Sequence, residues 1–151
     1  MPEPFITRPG DLLPLPGAGT IACLARAQET GGSMSAFELT IPAKGGPQAH
    51  AHSREDEIWY VLEGDFRFKT GDRLFSGTTG SLAFGPRTVP HAFQNVGDSD
   101  GRLLVITAPA GLEAFFEHCA AHLPGELDVE AIGAHSGLHF TGPPLAISDP
   151  L

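Results

Sequence analysis

Cysteine and basic side chains are scarce in this chain, and each scarcity removes a class of protein. Its 151 residues include two cysteines, one tryptophan and one tyrosine. Cys23 and Cys119 lie far apart in unlike segments with no C-x-x-C pattern, so two reduced thiols are expected rather than a disulfide or a redox pair. Nine Lys and Arg stand against eighteen Asp and Glu, a formal net charge of -9. A chain so short of cations is a poor partner for nucleic acid or an anionic membrane surface. No apolar run approaches the length that spans a bilayer. The start, Met1-Pro2-Glu3-Pro4-Phe5, has neither the basic opening nor the apolar centre of a secretory signal, so a cytoplasmic location is expected. Internal repeats, low-complexity tracts and a DNA-binding helix-turn-helix segment are also lacking.

Turn-forming residues, by contrast, are abundant. Gly 19 and Pro 14, with 41% hydrophobic residues, suit one globular domain of many short strands. Residues 1–19 carry Pro9-Gly10, Pro14 and Pro16-Gly17 and read as an irregular arm. Period-two alternation then begins, with Phe37, Leu39 and Ile41 on one face and Glu38 and Thr40 on the other. Glu57 to Leu62 reads as a buried strand, and Phe66 and Phe68 alternate with Arg67 and Lys69. Leu74-Phe75, Leu82 to Phe84 and His91 to Val96 add short strands, and Leu103 to Thr107 reads as a fully buried one. After Pro109 the spacing becomes helical: Leu112, Phe115, Phe116, Cys119 and Ala120 predict a helix over 110–122, with a second short one at 127–134. The tail from His135 to Leu151 reads as irregular. About eight strands at close spacing predict an all-β barrel or jelly roll over 20–108, with 109–151 as a helical cap and tail of the same domain.

Three of the seven histidines fall into one pattern with a carboxylate. His50 and His52 are two apart, so on a strand both rings leave the same face. Glu57 begins the next strand after a short polar turn, where a neighbouring antiparallel strand brings its carboxylate close. His91 opens a later strand directly after Pro90. Three imidazoles and one carboxylate suffice to fix a divalent transition-metal ion and leave coordination positions open. Fe, Mn, Ni, Co, Cu and Zn all accept such donors. His118 and His122 stand at i and i+4 on the predicted helix but lack an acidic third ligand, so they read as a solvated face. His135 and His139 read as structural or exposed, and Arg54-Glu55-Asp56 as a solvated turn at the rim. Most aromatics read as core, with some of Trp59, Phe93 and their neighbours lining an apolar cavity above the ion.

At these residues the chain resembles the cupin superfamily. Gly45 to Gly64 looks like its first motif: His-x-His, Glu five residues on, and a closing Gly seven further. Gly80, Pro86, His91 and Asn95 are similar to the second. Two positions depart: the glycine before the histidine pair is one place out of register at Gly45, and Thr88 stands where glycine is usual. The likeness covers roughly residues 33–108. The segment after Pro109 and the terminal Gly-Pro-Pro-Leu also resemble small bacterial cupins described as quercetin 2,3-dioxygenase-like. The resemblance implies a cupin-type jelly roll, a metal held by His50, His52, Glu57 and His91, and a homodimer with the N-terminal arm on the partner's barrel. It also implies a metal-dependent dioxygenase acting on a small aromatic or enol-type substrate, with Glu57 able to act as a base. Two other classes stay open: non-redox isomerase or lyase chemistry on the same ion, and a small-molecule binding module without catalysis.

Overall fold

The computed structural model describes residues 1–15 and 19–151; the Pro16-Gly17 part of the expected arm lies outside the described residues. In chain order the elements are β1 (Leu13–Pro14), β2 (Thr20–Ala25), α1 (Ala27–Thr30), β3 (Ser35–Ile41), β4 (Gln48–His52), β5 (Asp56–Glu63), β6 (Asp65–Thr70) and β7 (Arg73–Thr78). They continue as β8 (Leu82–Gly85), β9 (His91–Asn95), β10 (Gly101–Ala108), α2 (Glu113–His122), α3 (Val129–His135), β11 (Leu138–Pro144) and α4 (Leu145–Ser148). One sheet runs β1-β2-β3-β10-β5-β8 and the other β11-β4-β9-β6-β7. Neighbours pair antiparallel throughout, and the two sheets form a jelly roll.

Alternation decides which side chains enter the core. Phe37 of β3 and Trp59 of β5 both lie opposite Val105 of β10, and all three are buried. Two strands expected to be buried, β10 fully so, each leave one face less covered. Along β10, Leu104 and Ile106 are only half-buried, and along β5 Tyr60 is exposed. Their sheet packs on the core with one face and turns the other outward, although both faces are apolar. β9 is buried at all five positions, because α4 packs across it and Arg67 bonds Gln94 on its outer side.

The C-terminal tail differs from the irregular segment expected of it. β11 joins the second sheet beside β4, setting Leu138 opposite His52 and Phe140 opposite His50. Pro143 and Pro144 tolerate this placement because a strand at a sheet edge need not donate from every N–H. Arg67 then bonds the carbonyls of Leu145 and Asp149, and Lys69 pairs with Asp149, so the end of the chain is fastened over the second sheet. Among the described residues no helix is long and apolar enough to cross a membrane.

Candidate metal centre

His50 and His52 leave β4 on one face, and His91 stands opposite His50 on the adjacent β9. Glu57 arrives differently from its expected course. β5 is not a neighbour of β4 but belongs to the facing sheet, so the polar corner at 53–55 carries the chain across and the carboxylate reaches over the core. All four residues are buried, and one donor atom from each lies within 4.8 Å of the others.

His52 Nε2 and His91 Nε2 stand 2.9 and 3.1 Å from Glu57 Oε2, and His91 Nε2 is 3.2 Å from His50 Nε2. Metal–nitrogen bonds of about 2.0–2.1 Å at right angles place ligands about 3 Å apart, so these spacings are those of a shared coordination sphere. Despite the short distance, His52 Nε2 and Glu57 Oε2 are not aligned as donor and acceptor, and both remain buried without a hydrogen bond. Orphaned polar atoms are costly in a core, and convergence on one cation relieves them. The far sides of two rings are held: His50 Nδ1 is 2.7 Å from the Gln48 carbonyl and His91 Nδ1 is 3.3 Å from that of Val89. A ring that donates from Nδ1 keeps the Nε2 lone pair for a metal.

Burial pushes His50 down to about 3, and the neighbouring His91 and His52 push it the same way, so the ring is neutral as a ligand must be. Burial also works against the charged form of His52, but the Glu57 carboxylate outweighs it and raises the ring. For Glu57 itself burial acts upward and the two facing imidazoles win, holding the carboxyl far below its ordinary range.

Several supports around the cluster depend on backbone geometry. A Cβ on Gly46 would come within 2.1 Å of the Phe93 carbonyl oxygen, so it is Gly46, beside the out-of-register Gly45, whose bareness lets β9 approach. Thr88 adopts a left-handed φ of 68° and its N–H donates to the His52 carbonyl at 2.7 Å. That conformation explains why glycine would be favoured there. Gly85 gives room to Trp59, whose ring meets His91 edge-on at 4.8 Å. Asn95 serves the fold instead of the cavity, bonding the Ile41 and Ser99 carbonyls and the Gly97 amide.

Glu55 is the residue that sequence reasoning placed wrongly. The expected solvated turn holds for Arg54, and Asp56 meets Arg87 in a bidentate pair, yet Glu55 is only 3% exposed. Its Oε2 lies 3.6 Å from His52 Nδ1, and burial pushes its carboxyl up. His118, His122, His135 and His139 are exposed and take no part in the cluster.

A cavity of about 400 Å³ opens onto His50, His52 and Glu57. Phe93 lines it from the core as expected, while Leu112, Phe115 and Phe116 of the α2 segment and Phe140 of β11 close it from the C-terminal side. Among the described residues, Gln48 is the one polar lining side chain besides the three cluster members, and no Lys or Arg lines the cavity.

Two antiparallel sheets enclosing a His-His-Glu-His cluster below an apolar cavity define a jelly-roll protein whose site can hold a metal ion. The family model described as a cupin domain matches residues 37–107, from β3 to β10. Residues 37–107 are thus identified as a cupin domain. An uncharacterized protein of Methanocaldococcus jannaschii is 27% identical over 79 residues, covering 52% of this chain and 63% of that protein, so the match spans less than two thirds of that relative. Among solved structures, KdgF from Halomonas sp. superposes with a TM-score of 0.62 at 16% identity, covering 69% of this chain and 90% of that one. A Thermotoga maritima protein described as a predicted oxalate decarboxylase gives 0.62 at 18% identity, covering 70% and 99%. An RmlC-like cupin from Shewanella frigidimarina gives 0.60 at 21%, covering 68% and 86%. At these identities the likeness is one of fold.

Proposed function

We propose that this chain is a metal-dependent dioxygenase acting on a small aromatic or enol-type substrate, with one divalent transition-metal ion held by His50, His52, Glu57 and His91. One observation carries the reading: the buried cluster forms the polar end of a cavity whose other walls, Gln48 apart, are apolar and partly aromatic. An uncharged ring or enol fits such walls. A small dianion such as oxalate, for which three structural neighbours are named, would find no Lys or Arg among the described lining residues to balance its second charge beside the ion.

A bound redox-active ion of this class supplies acidification of a coordinated hydroxyl and a place for dioxygen and substrate to meet. The remaining work belongs to side chains. Phe93, Phe115 and Phe140 hold the ring and exclude water. Glu57 takes the substrate's hydroxyl proton: His52 and His91 keep it a carboxylate rather than an acid. So held, it is a weak base, and the transfer suits only a hydroxyl that the site has already acidified. The three imidazoles serve as nitrogen donors, two of them fixed from behind by the carbonyls of Gln48 and Val89.

Oxygen uptake tests this directly. Protein loaded separately with Fe, Mn, Co and Ni is offered a flavonol, a catechol and a diketone, and substrate-dependent uptake is expected with at least one pairing. No uptake in any combination, with metal bound, overturns the oxygenase reading. Turnover of a substrate without oxygen would instead place the same site in isomerase or lyase chemistry.

A further inference from the structure

His52 differs from the other two rings in what stands behind it. His50 and His91 turn Nδ1 toward backbone carbonyls, whereas His52 Nδ1 has no hydrogen-bond partner and faces the Glu55 carboxylate at 3.6 Å. Glu55 is 3% exposed, its Oε2 makes no hydrogen bond, and no Lys or Arg comes within ion-pair distance of it among the described residues, Arg54 and Arg87 acting on it only from farther off. A buried carboxylate without a contacting cation is costly in a core.

Charge counting resolves the cost. With three neutral imidazoles, Glu57 alone would leave a dication half-compensated at the centre of the fold. With an ion bound, Glu55 and Glu57 as carboxylates would together bring the cluster to neutrality, one from each side of the same ring. We propose that Glu55 is a positioning residue for the metal: it holds His52 in the tautomer with Nδ1 protonated and Nε2 free, and supplies the second negative charge that a buried dication requires. The reading rests on the metal site proposed above. At 3.6 Å the contact is too long for a hydrogen bond, and a movement of about 0.5 Å brings it into range. Outer-shell carboxylates behind ligating histidines act in this way generally, fixing the ring and raising its donor strength.

The experiment measures Zn²⁺ affinity by chelator competition and the melting temperature of metal-free protein, for the parent, E55Q, E55D and the half-exposed control D56N. E55Q is expected to weaken Zn²⁺ binding about 10–100-fold. Its metal-free melting temperature should be unchanged or higher, because an unpaired buried charge has been removed. E55D keeps the charge farther from the ring and should recover part of the affinity, while D56N binds as the parent does. In the Zn²⁺-loaded parent, ¹⁵N NMR should show His52 protonated at Nδ1, with that proton exchanging faster in E55Q. Parent-like affinity in E55Q, or an equal loss of melting temperature with and without metal, overturns the assignment and makes Glu55 a structural residue. A metal-free E55Q that fails to fold has the same consequence. If the parent itself takes up no Zn²⁺, the metal-site reading falls and this one with it.

Discussion

His50 and His91 face each other across the β4–β9 ladder, and the site depends on both in the same way. Replacing either with Ala removes one nitrogen donor and opens the polar end of the cavity to water. An outer-shell change costs about 10–100-fold in affinity, and loss of a ligand should exceed that range. We therefore expect H50A and H91A each to lack stoichiometric metal after dialysis, by elemental analysis of untagged protein, while H118A retains it; full occupancy in both variants would exclude them as ligands. These residues were legible because a period-two pair and a histidine after Pro90 occupy defined positions along strands. Glu55 was not legible. It sits in a corner with no period, beside Arg54, which is exposed, and Asp56, which pairs at the surface with Arg87. Three charged residues in a row look alike in sequence, and only the path of the chain between sheets turns the first acid inward and leaves the second outside.

At the scale of elements, the part beyond Pro109 owes its position to contacts that no periodicity announces. The spacing of Leu112, Phe115 and Cys119 gives α2 its buried face. Where that helix lies is set by Glu113, whose carboxylate accepts from the Ser35 hydroxyl and from the amides of Ala27 and Gly111, tying α2 to α1 and β3. β11 was missed for a related reason: Leu138 and Phe140 are too short an alternation to outweigh Pro143-Pro144 until β4 is there to pair with them. Burial pushes the Glu113 carboxyl up, but the Ser35 hydroxyl and the surrounding amides outweigh it and hold it below its ordinary value. A carboxyl lowered in the folded state adds stability above its unfolded value and loses it as pH falls through the folded one. E113Q should therefore cost about 1.5–3 kcal/mol near neutral pH in urea denaturation, the range for hydrogen bonds to a charged group. The gap to the parent should narrow under acid conditions, as the parent's own carboxyl protonates. A gap independent of pH would mean that the loss comes from the amide's failure to reproduce the carboxylate's hydrogen-bond geometry and that charge plays no part.

For the molecule as a whole, the alternation of Phe37, Leu39, Ile41, Trp59, Val61, Leu103 and Val105 was enough to foresee a two-sheet core, because a strand's faces are fixed by its own period. Which faces meet was not encoded that way: outward apolar residues such as Leu104 and Ile106 look the same in sequence as inward ones. The meeting of the two sheets has an energetic consequence. Two acidic side chains of a chain with net charge -9 are brought together in the interior, and the metal-free fold carries their repulsion and desolvation. A ligand that binds only the folded state adds RT ln(1 + [L]/Kd), about 2.7 kcal/mol at a hundredfold excess over Kd. For a chain of this size each kcal/mol moves the melting temperature by roughly 2–4 °C, so Zn²⁺ at that excess should raise it by about 5–11 °C. EDTA should return the protein to its metal-free value, and H91A should show no rise at all. Differential scanning calorimetry across a Zn²⁺ titration checks this, with the logarithmic dependence on free metal as the signature of linkage at one site. A flat melting temperature in the parent would mean that the four donors close on each other instead of on an ion, and that the core tolerates Glu55 and Glu57 without one.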